Sequence, residues 1–230
     1  MARAIAVADA EGLDAVTMRR LATELGVSPM ALYGYVPGKA ELLDLMLDDR
    51  FAAMPRAPWG RSGWRRRLEA VAEANRALYA AHPWVATVST RRPPLGPGLM
   101  AKYEHELGAV EGTGLDDVEL DAALMLVLDF VRANVEEARA ARAARAARAE
   151  GPSDEEWWAA NAPLLARVAG PASHPLASRV GAAAGAEHGA AHDAEHAYVF
   201  GLARILDGIA GLVAARGVGA GRGTSGNSGV

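Results

Sequence analysis

Apolar residues recur with a helical period along almost the whole chain, and the clearest stretch is TMRRLATELGVSPMALYGYV, from Thr17 to Val36. Met18, Leu21, Ala22 and Leu25 fall at i, i+3, i+4 and i+7, one face of a helix. Thr17 stands where a cap accepts the first free N–H groups, and Gly26 offers the left-handed conformation that closes a helix. Ser28 followed by Pro29 supplies a second helix start. In the second helix Val27, Leu32 and Val36 are expected to face inward, which leaves Ser28, Met30, Tyr33 and Gly34 pointing out. Two short helices joined by so tight a turn cross steeply, as in a helix-turn-helix.

The remaining pattern is helical as well. Residues 4–11 read as a first helix, broken by Gly12, and residues 39–51 read as a fourth. The Pro/Gly-rich MPRAPWGRSG, residues 54–63, marks a domain boundary. Helices follow at 64–81, where His82 and Pro83 end the segment, and then at 98–109, 116–149 and 154–169. A small-residue loop is expected over 170–191 and a last helix over 193–215. No strand pattern emerges, so the fold class is all-α, with a three-helix helix-turn-helix domain and a larger C-terminal helical domain. The expected domains are 1–50 for DNA binding, 51–217 for effector binding and dimerisation, and a Gly/Ser-rich tail, 218–230, expected to be disordered.

Composition narrows the function. The 230 residues contain no cysteine, which excludes disulfides and thiolate metal sites. Asp9, Glu11 and Asp14 interrupt the early apolar run, and no uncharged run reaches the roughly 18 residues of a membrane span. A cytoplasmic protein that does not meet a membrane is the expectation. The net charge of -4 lacks the basic footprint usual for nucleic-acid binding. Over residues 1–40, Arg3, Arg19, Arg20 and Lys39 balance Asp9, Glu11, Asp14 and Glu24. Contact with DNA therefore rests on a few placed groups.

An ordinary helical hairpin in a core would show the same apolar pattern. Tyr33 and Tyr35 near a helix end, followed by Lys39, favour DNA, because they suit phosphate oxygens. The stretch GLDAVTMRRLATELGVSPMALYGYVPGKAELLD, Gly12 to Asp44, resembles the DNA-binding region of the tetracycline-repressor-like (TetR) family of bacterial regulators. EEWWAANAPLLARV and FGLARILDGIAGLVAAR are similar to stretches of that family's effector domain. The resemblance implies a homodimer on double-stranded operator DNA that is released by a small-molecule effector. It also implies that Thr17 and Arg19 touch DNA from the first of the two helices. Ser28, Pro29, Met30 and Tyr33 would lie on the recognition helix, with Tyr35 and Lys39 on phosphates at its end. Gly34 stands on that helix where relatives carry a larger side chain. Relatives also have a longer first helix with a basic segment before it, so a start upstream of Met1 is expected.

Trp84, Met100, Tyr103, Phe130, Trp157 and Trp158 supply the large surfaces a ligand pocket needs. Each of them also suits a core. Asp129, inside the apolar run LMLVLDFVRAN, is expected to pair with Arg132 or to line a polar corner with Asn134. A dimer interface is expected on the last helix, through Phe200, Gly201, Ile205, Gly208, Ile209 and Leu212, beside the long helix. The arginines at 139, 142, 145 and 148 cover a broad side of a helix, which fits a solvated face better than a second nucleic-acid site. His188, His192 and His196 fall at i, i+4 and i+8. A solvated approach to the last helix is preferred there over a metal site, so neither metal nor cofactor is assigned. There is no phosphate loop, nucleophile elbow or HExxH, so no catalytic residue is assigned and no enzyme is expected. The competing function is a small-molecule or metal-binding helical protein with a degenerate DNA domain.

Overall fold

A computed structural model of the chain describes residues 1–88, 93–146, 151–168, 171–189 and 193–222. Among them lie eleven α-helices, one 3₁₀ turn and no strand. The helices are α1 (Ala2–Glu11), α2 (Met18–Leu25), α3 (Pro29–Tyr33), α4 (Lys39–Ala53), α5 (Trp64–Ala81) and α6 (Pro83–Thr87). They continue with α7 (Pro97–Leu107), α8 (Asp117–Ala146), α9 (Asp154–Val168), α10 (Pro175–His188) and α11 (Ala194–Arg222). Two compact units emerge, one of residues 1–136 together with the chain from Leu202, the other of residues 137–201. The expected tail lies outside the described residues from 223 onward, and α11 takes in residues 218–222.

In the first unit, Thr17 caps α2 by accepting the Arg20 N–H at 3.2 Å, and Gly26 ends the helix at φ 68°. Ser28 caps α3 by accepting the Ala31 N–H at 3.1 Å, with Pro29 as its first residue. Met18, Leu21 and Ala22 are buried, whereas Leu25 is exposed because Gly26 turns the chain away after it. Val27 is exposed too and does not face inward as the spacing suggested; it sits in the turn, before α3 begins. Leu32 and Val36 are half-buried. Helix α1 buries Ala4, Ile5, Val7 and Ala8, and its Asp9 Oδ1 meets both His82 Nδ1 and Trp84 Nε1 at 2.8 Å. Pro83 thus opens the short helix α6, where the sequence suggested only an end.

The centre of this unit is made by Leu68 and Val71 of α5, Leu124, Val127 and Val131 of α8, and Leu206 and Ile209 of α11, all buried. Burying each such aliphatic side chain contributes about 1.5–3 kcal/mol. Arg216 of α11 clamps the start of α8 through Asp116 at 2.8 Å and Glu119 at 2.5 Å. Hydrogen bonding from Arg216 holds the Glu119 carboxyl below its ordinary range.

The second unit contains α9 and α10. The loop expected over 170–191 is largely a helix: Pro175 opens α10, and an alanine-rich run carries it to Gly189, where φ reaches 62°. Its glycines looked like helix breakers. Gly185, however, packs on Trp158, where a Cβ would come 2.5 Å from the indole Nε1. The His188 and His196 rings meet at 4.5 Å between centroids, tilted by 49°, while His192 lies outside the described residues. Among the described residues no group of three metal-ligating side chains exists.

By length and composition alone, α11 over Ala194–Arg216 could cross a membrane. Arg204 and Asp207 pair at 2.7 Å inside that span.

Candidate nucleic-acid interface and internal cavity

The helix-turn-helix presents a compact exposed face. Met30 is 77% and Tyr35 86% exposed, and Tyr33 stands beside them. Pro29, the first residue of α3, and Gly34, at its end, are exposed as well. A helix of this size enters a major groove about 12 Å wide. Thr17 and Ser28 spend their oxygens as cap acceptors, so their first effect is to aim α2 and α3.

The charges on this face are sorted. Arg20 donates to Glu11 at 2.7 and 2.5 Å and to Glu24 at 2.9 Å, and Arg3 also pairs with Glu24. Hydrogen bonds from Arg20 hold both carboxyls below their usual range, so these acids are screened from an approaching phosphate. Arg19, next in sequence, is exposed and has no acidic partner among the described residues. Lys39 Nζ donates to the Leu13 carbonyl at 2.8 Å, which ties the start of α4 to the turn before α2 and leaves two N–H bonds for phosphate.

A cavity of about 360 Å³ lies among α4, α5, α7 and α8. Leu47, Phe51, Leu99, Met125 and Leu128 make it largely apolar. Its polar edge is a network. Lys102 Nζ donates to Glu106 Oε2 at 2.6 Å, and Asn75 Nδ2 donates to Glu106 Oε1 at 2.6 Å. Asn75 is fully buried, and its Oδ1 has no partner among the described residues. Lys102 and Glu106 also line a second cavity of about 180 Å³ beside Trp59 and His105. Burial there pulls the His105 imidazole below its ordinary value. Tyr79 lines the larger cavity, and burial, reinforced by Glu106, pushes its hydroxyl up to about 12.

Helix α4 carries this cavity to the helix-turn-helix, and α7 is fastened to it. Helix α4 begins at Lys39 beside Leu13 and passes Leu47 and Phe51 in the cavity wall. Midway, Asp48 Oδ1 accepts the Leu99 N–H of α7 at 2.8 Å. Gly96 and Gly98 permit this approach: a Cβ on Gly98 would lie 2.1 Å from the Asp48 carbonyl oxygen, and one on Gly96 2.2 Å from its carboxyl carbon.

Comparison with known proteins decides what such a molecule is. Residues 1–46 match the model of bacterial regulatory proteins of the tetR family, and residues 57–213 match the tetracyclin repressor-like C-terminal domain. The chain belongs to the TetR family. It is similar to the HTH-type transcriptional repressor DrrR1 of Streptomyces coeruleorubidus, at 43% identity over 216 residues, 93% of this chain and 76% of that one. It also resembles apo ActR from Streptomyces coelicolor, at 28% identity and a TM-score of 0.68, covering 94% of this chain and 95% of that one. ActR solved in complex with actinorhodin is similar at 30% identity and a TM-score of 0.64, with the same coverage.

As a TetR-family regulator the chain is a ligand-responsive, DNA-binding protein of transcription. Of the aromatic and polar residues expected in its pocket, Met100 and Tyr103 line the larger cavity. Trp84 does not, because it is buried with its indole turned to Asp9. Phe130 and Asn134 stand outside it too, since α8 shows the cavity its 121, 125, 128, 129 and 132 positions. Trp157 and Trp158 line a separate hollow on α9 in the second unit. Asp129 accepts from Arg132 at 2.9 Å, the first of its two expected roles, and it lines the cavity with Arg132 and not with Asn134. Tyr79, Lys102, Glu106 and Asn75 escaped the sequence reading. Lys102 and Glu106, at i and i+4, looked like any surface pair; only the apolar neighbours at 98, 99 and 103 hint that this face is buried.

Proposed function

We propose that the chain is a cytoplasmic, non-enzymatic repressor that binds its operator as a homodimer and releases it when a small molecule fills the larger cavity. The observation that carries this reading is the span of α4. One helix of about 22 Å, at 1.5 Å per residue, touches the turn before α2 at its start and the cavity wall further on. A ligand that pushes on Phe51 or α7 must displace α4 or be resisted by it. A dimer binds two half-sites only when its recognition helices sit about one DNA turn (~34 Å), or a multiple, apart. Ligand binding that favours another spacing lowers operator affinity, by no more than the ligand's preference between the two states. That ActR is solved with actinorhodin bound supports a small-molecule effector here.

In this reading Thr17, Ser28 and Pro29 aim the recognition helix, and Met30, Tyr33 and Gly34 meet the groove. Arg19, Tyr35 and Lys39 meet phosphates. The dimer forms on the outward face of α11. Gly208 and Leu212 are exposed there, and a Cβ on Gly208 or Gly211 would meet nothing within 4 Å, which leaves room for a second backbone. Ile205 and Gly201 are half-buried, Phe200 is exposed, and Ile209, at 4% exposure, belongs to the core of its own chain.

The test pairs two measurements on the full chain. A thermal-shift screen identifies small molecules that bind, and anisotropy of labelled DNA from upstream of the gene reports operator affinity. Any molecule that raises the melting temperature through the cavity is expected to weaken DNA binding. Cavity ligands that leave DNA affinity unchanged would refute the reading.

A further inference from the structure

The segment that the helix-turn-helix offers to the groove lacks the groups that usually tell bases apart. Residues 27–36, VSPMALYGYV, contain no Arg, Lys, Asn, Gln, Asp or Glu. Those are the side chains whose bidentate or charged hydrogen bonds separate guanine, adenine and cytosine in the major groove. The polar side chains that remain are the hydroxyls of Ser28, Tyr33 and Tyr35. A hydroxyl both donates and accepts, so it bonds to either kind of base edge and selects neither strongly. Ser28 is also held at the cap of α3, where it accepts the Ala31 N–H at 3.1 Å.

Helix α2 does not make up the deficit. Arg20 donates to Glu24 at 2.9 Å and to Glu11 at 2.7 Å, and the Thr23 hydroxyl donates to the Arg19 carbonyl at 3.1 Å. In a helix-turn-helix the first helix crosses the DNA backbone, which suits Arg19, and the leading residues of the second meet the base edges. Here those leading residues are Pro29, Met30 and Ala31, all exposed and all apolar. Met30 projects furthest, at 77% exposure, on an unbranched side chain that adapts to the surface it meets. Covering it is favourable against an apolar partner, and the apolar group that the major groove presents is the thymine C5 methyl.

We propose that α3 selects its operator through thymine methyl groups, with Met30 as the specificity-determining residue and the Ala31 methyl beside it. This rests on the operator-binding reading of the same face and adds the chemistry of the bases recognised. Each half-site then carries an A·T pair whose thymine methyl lies against Met30. Sequence-dependent DNA shape is the competing source of selectivity for such a helix, and it needs no methyl contact.

The test begins with the full chain selecting its preferred site from a library of random duplex DNA. Anisotropy at one fixed salt concentration then measures that site with each thymine in turn replaced by uracil. The replacement removes the C5 methyl and keeps every hydrogen-bonding group of the base. At one thymine of each half-site it is expected to weaken binding about fourfold, the worth of one buried methyl-sized group. Met30→Ala should bind the thymine site more weakly and lose nothing further at that position with uracil. Met30→Leu, which keeps an apolar side chain within reach, should retain most of the uracil penalty. A preferred site without thymine, uracil replacement without effect at every position, or an equal uracil penalty in Met30→Ala and the parent protein overturns the proposal. In those three cases a site has still been selected, so the operator reading stands. A library that yields no preferred duplex overturns the operator reading and the proposal with it.

Discussion

Asp48 of α4 accepts the backbone N–H of Leu99 on α7 at 2.8 Å, and through this bond the wall of the cavity is fastened to the helix that reaches the DNA-binding domain. The carboxylate serves as a cap for α7, whose own preceding residue, Gly96, has no side chain to do so. Asp48→Ala is expected to destabilise the protein by about 1 kcal/mol, the usual cost of a lost cap. Asp48→Asn, which keeps an oxygen there, should stay close to the parent. Urea unfolding of the three proteins decides it; equal loss in both variants would mean that the charge matters and not the acceptor.

Gly98 lets the two helices touch. An added Cβ lies 2.1 Å from the Asp48 carbonyl and 2.9 Å from the Ala52 nitrogen, both backbone atoms that cannot rotate away. Gly98→Ala should therefore destabilise by about 1–3 kcal/mol, as overpacking does. It should also change the ligand concentration that releases DNA. An unaltered unfolding midpoint would show that the contact is looser than described.

Arg19 and Arg20 are neighbours with different duties. Arg19→Ala is expected to weaken binding to every DNA sequence alike and to reduce the salt dependence by about one counterion. Arg20→Ala frees Glu11, leaves Glu24 with Arg3 alone, and should lower thermal stability in a salt-sensitive manner. Anisotropy titrations over a salt series, with melting curves, separate the two. A change in preferred sequence on losing Arg19 would make it a base contact instead.

The helix-turn-helix was legible in the sequence because its signals are local. Thr17, Gly26, Ser28 and Pro29 each act within four residues of themselves, so their roles survive without knowledge of the rest of the fold. The cavity was not legible in that way. Trp84 was singled out for its size, yet Asp9, 75 residues earlier, decides where it points. Lys102 and Glu106 are ordinary on paper, and only the packing of α4 against α7, with Asn75 of α5 bonded to Glu106, buries them. Gly185 shows the same limit from the other side: a residue that weakens helices was chosen for its lack of bulk against Trp158.

Tyr79 gives a pH dependence with a definite sign. Its hydroxyl is pushed up to about 12 in the folded state, above the roughly 10 of an exposed tyrosine. A raised value favours the protonated form on folding, so this contribution is fully present below about pH 10 and is lost as pH rises towards 12. Between pH 9 and 11 the parent protein should lose more stability than Tyr79→Phe does. Parallel loss in both proteins would place the hydroxyl in contact with solvent.

On α11, Leu212→Glu is expected to give folded monomers, because that side chain faces outward. Ile209→Glu should instead unfold the chain, since a charge would enter its core without a partner. Light scattering and circular dichroism distinguish the two results. A folded dimer from Leu212→Glu would move the interface elsewhere.

The most direct test of the central claim is the coupling between cavity and operator, measured in both directions. For a compound returned by the thermal-shift screen, its affinity is determined for free and for operator-bound protein, and operator affinity is determined with and without the compound. Linkage requires the same factor from either side, typically about 5–150-fold for coupled sites. The account predicts such a factor in the parent protein. In Asp48→Ala it should fall towards one, while the compound and the operator each still bind. A factor of one in the parent protein, or an undiminished factor in Asp48→Ala, would contradict it.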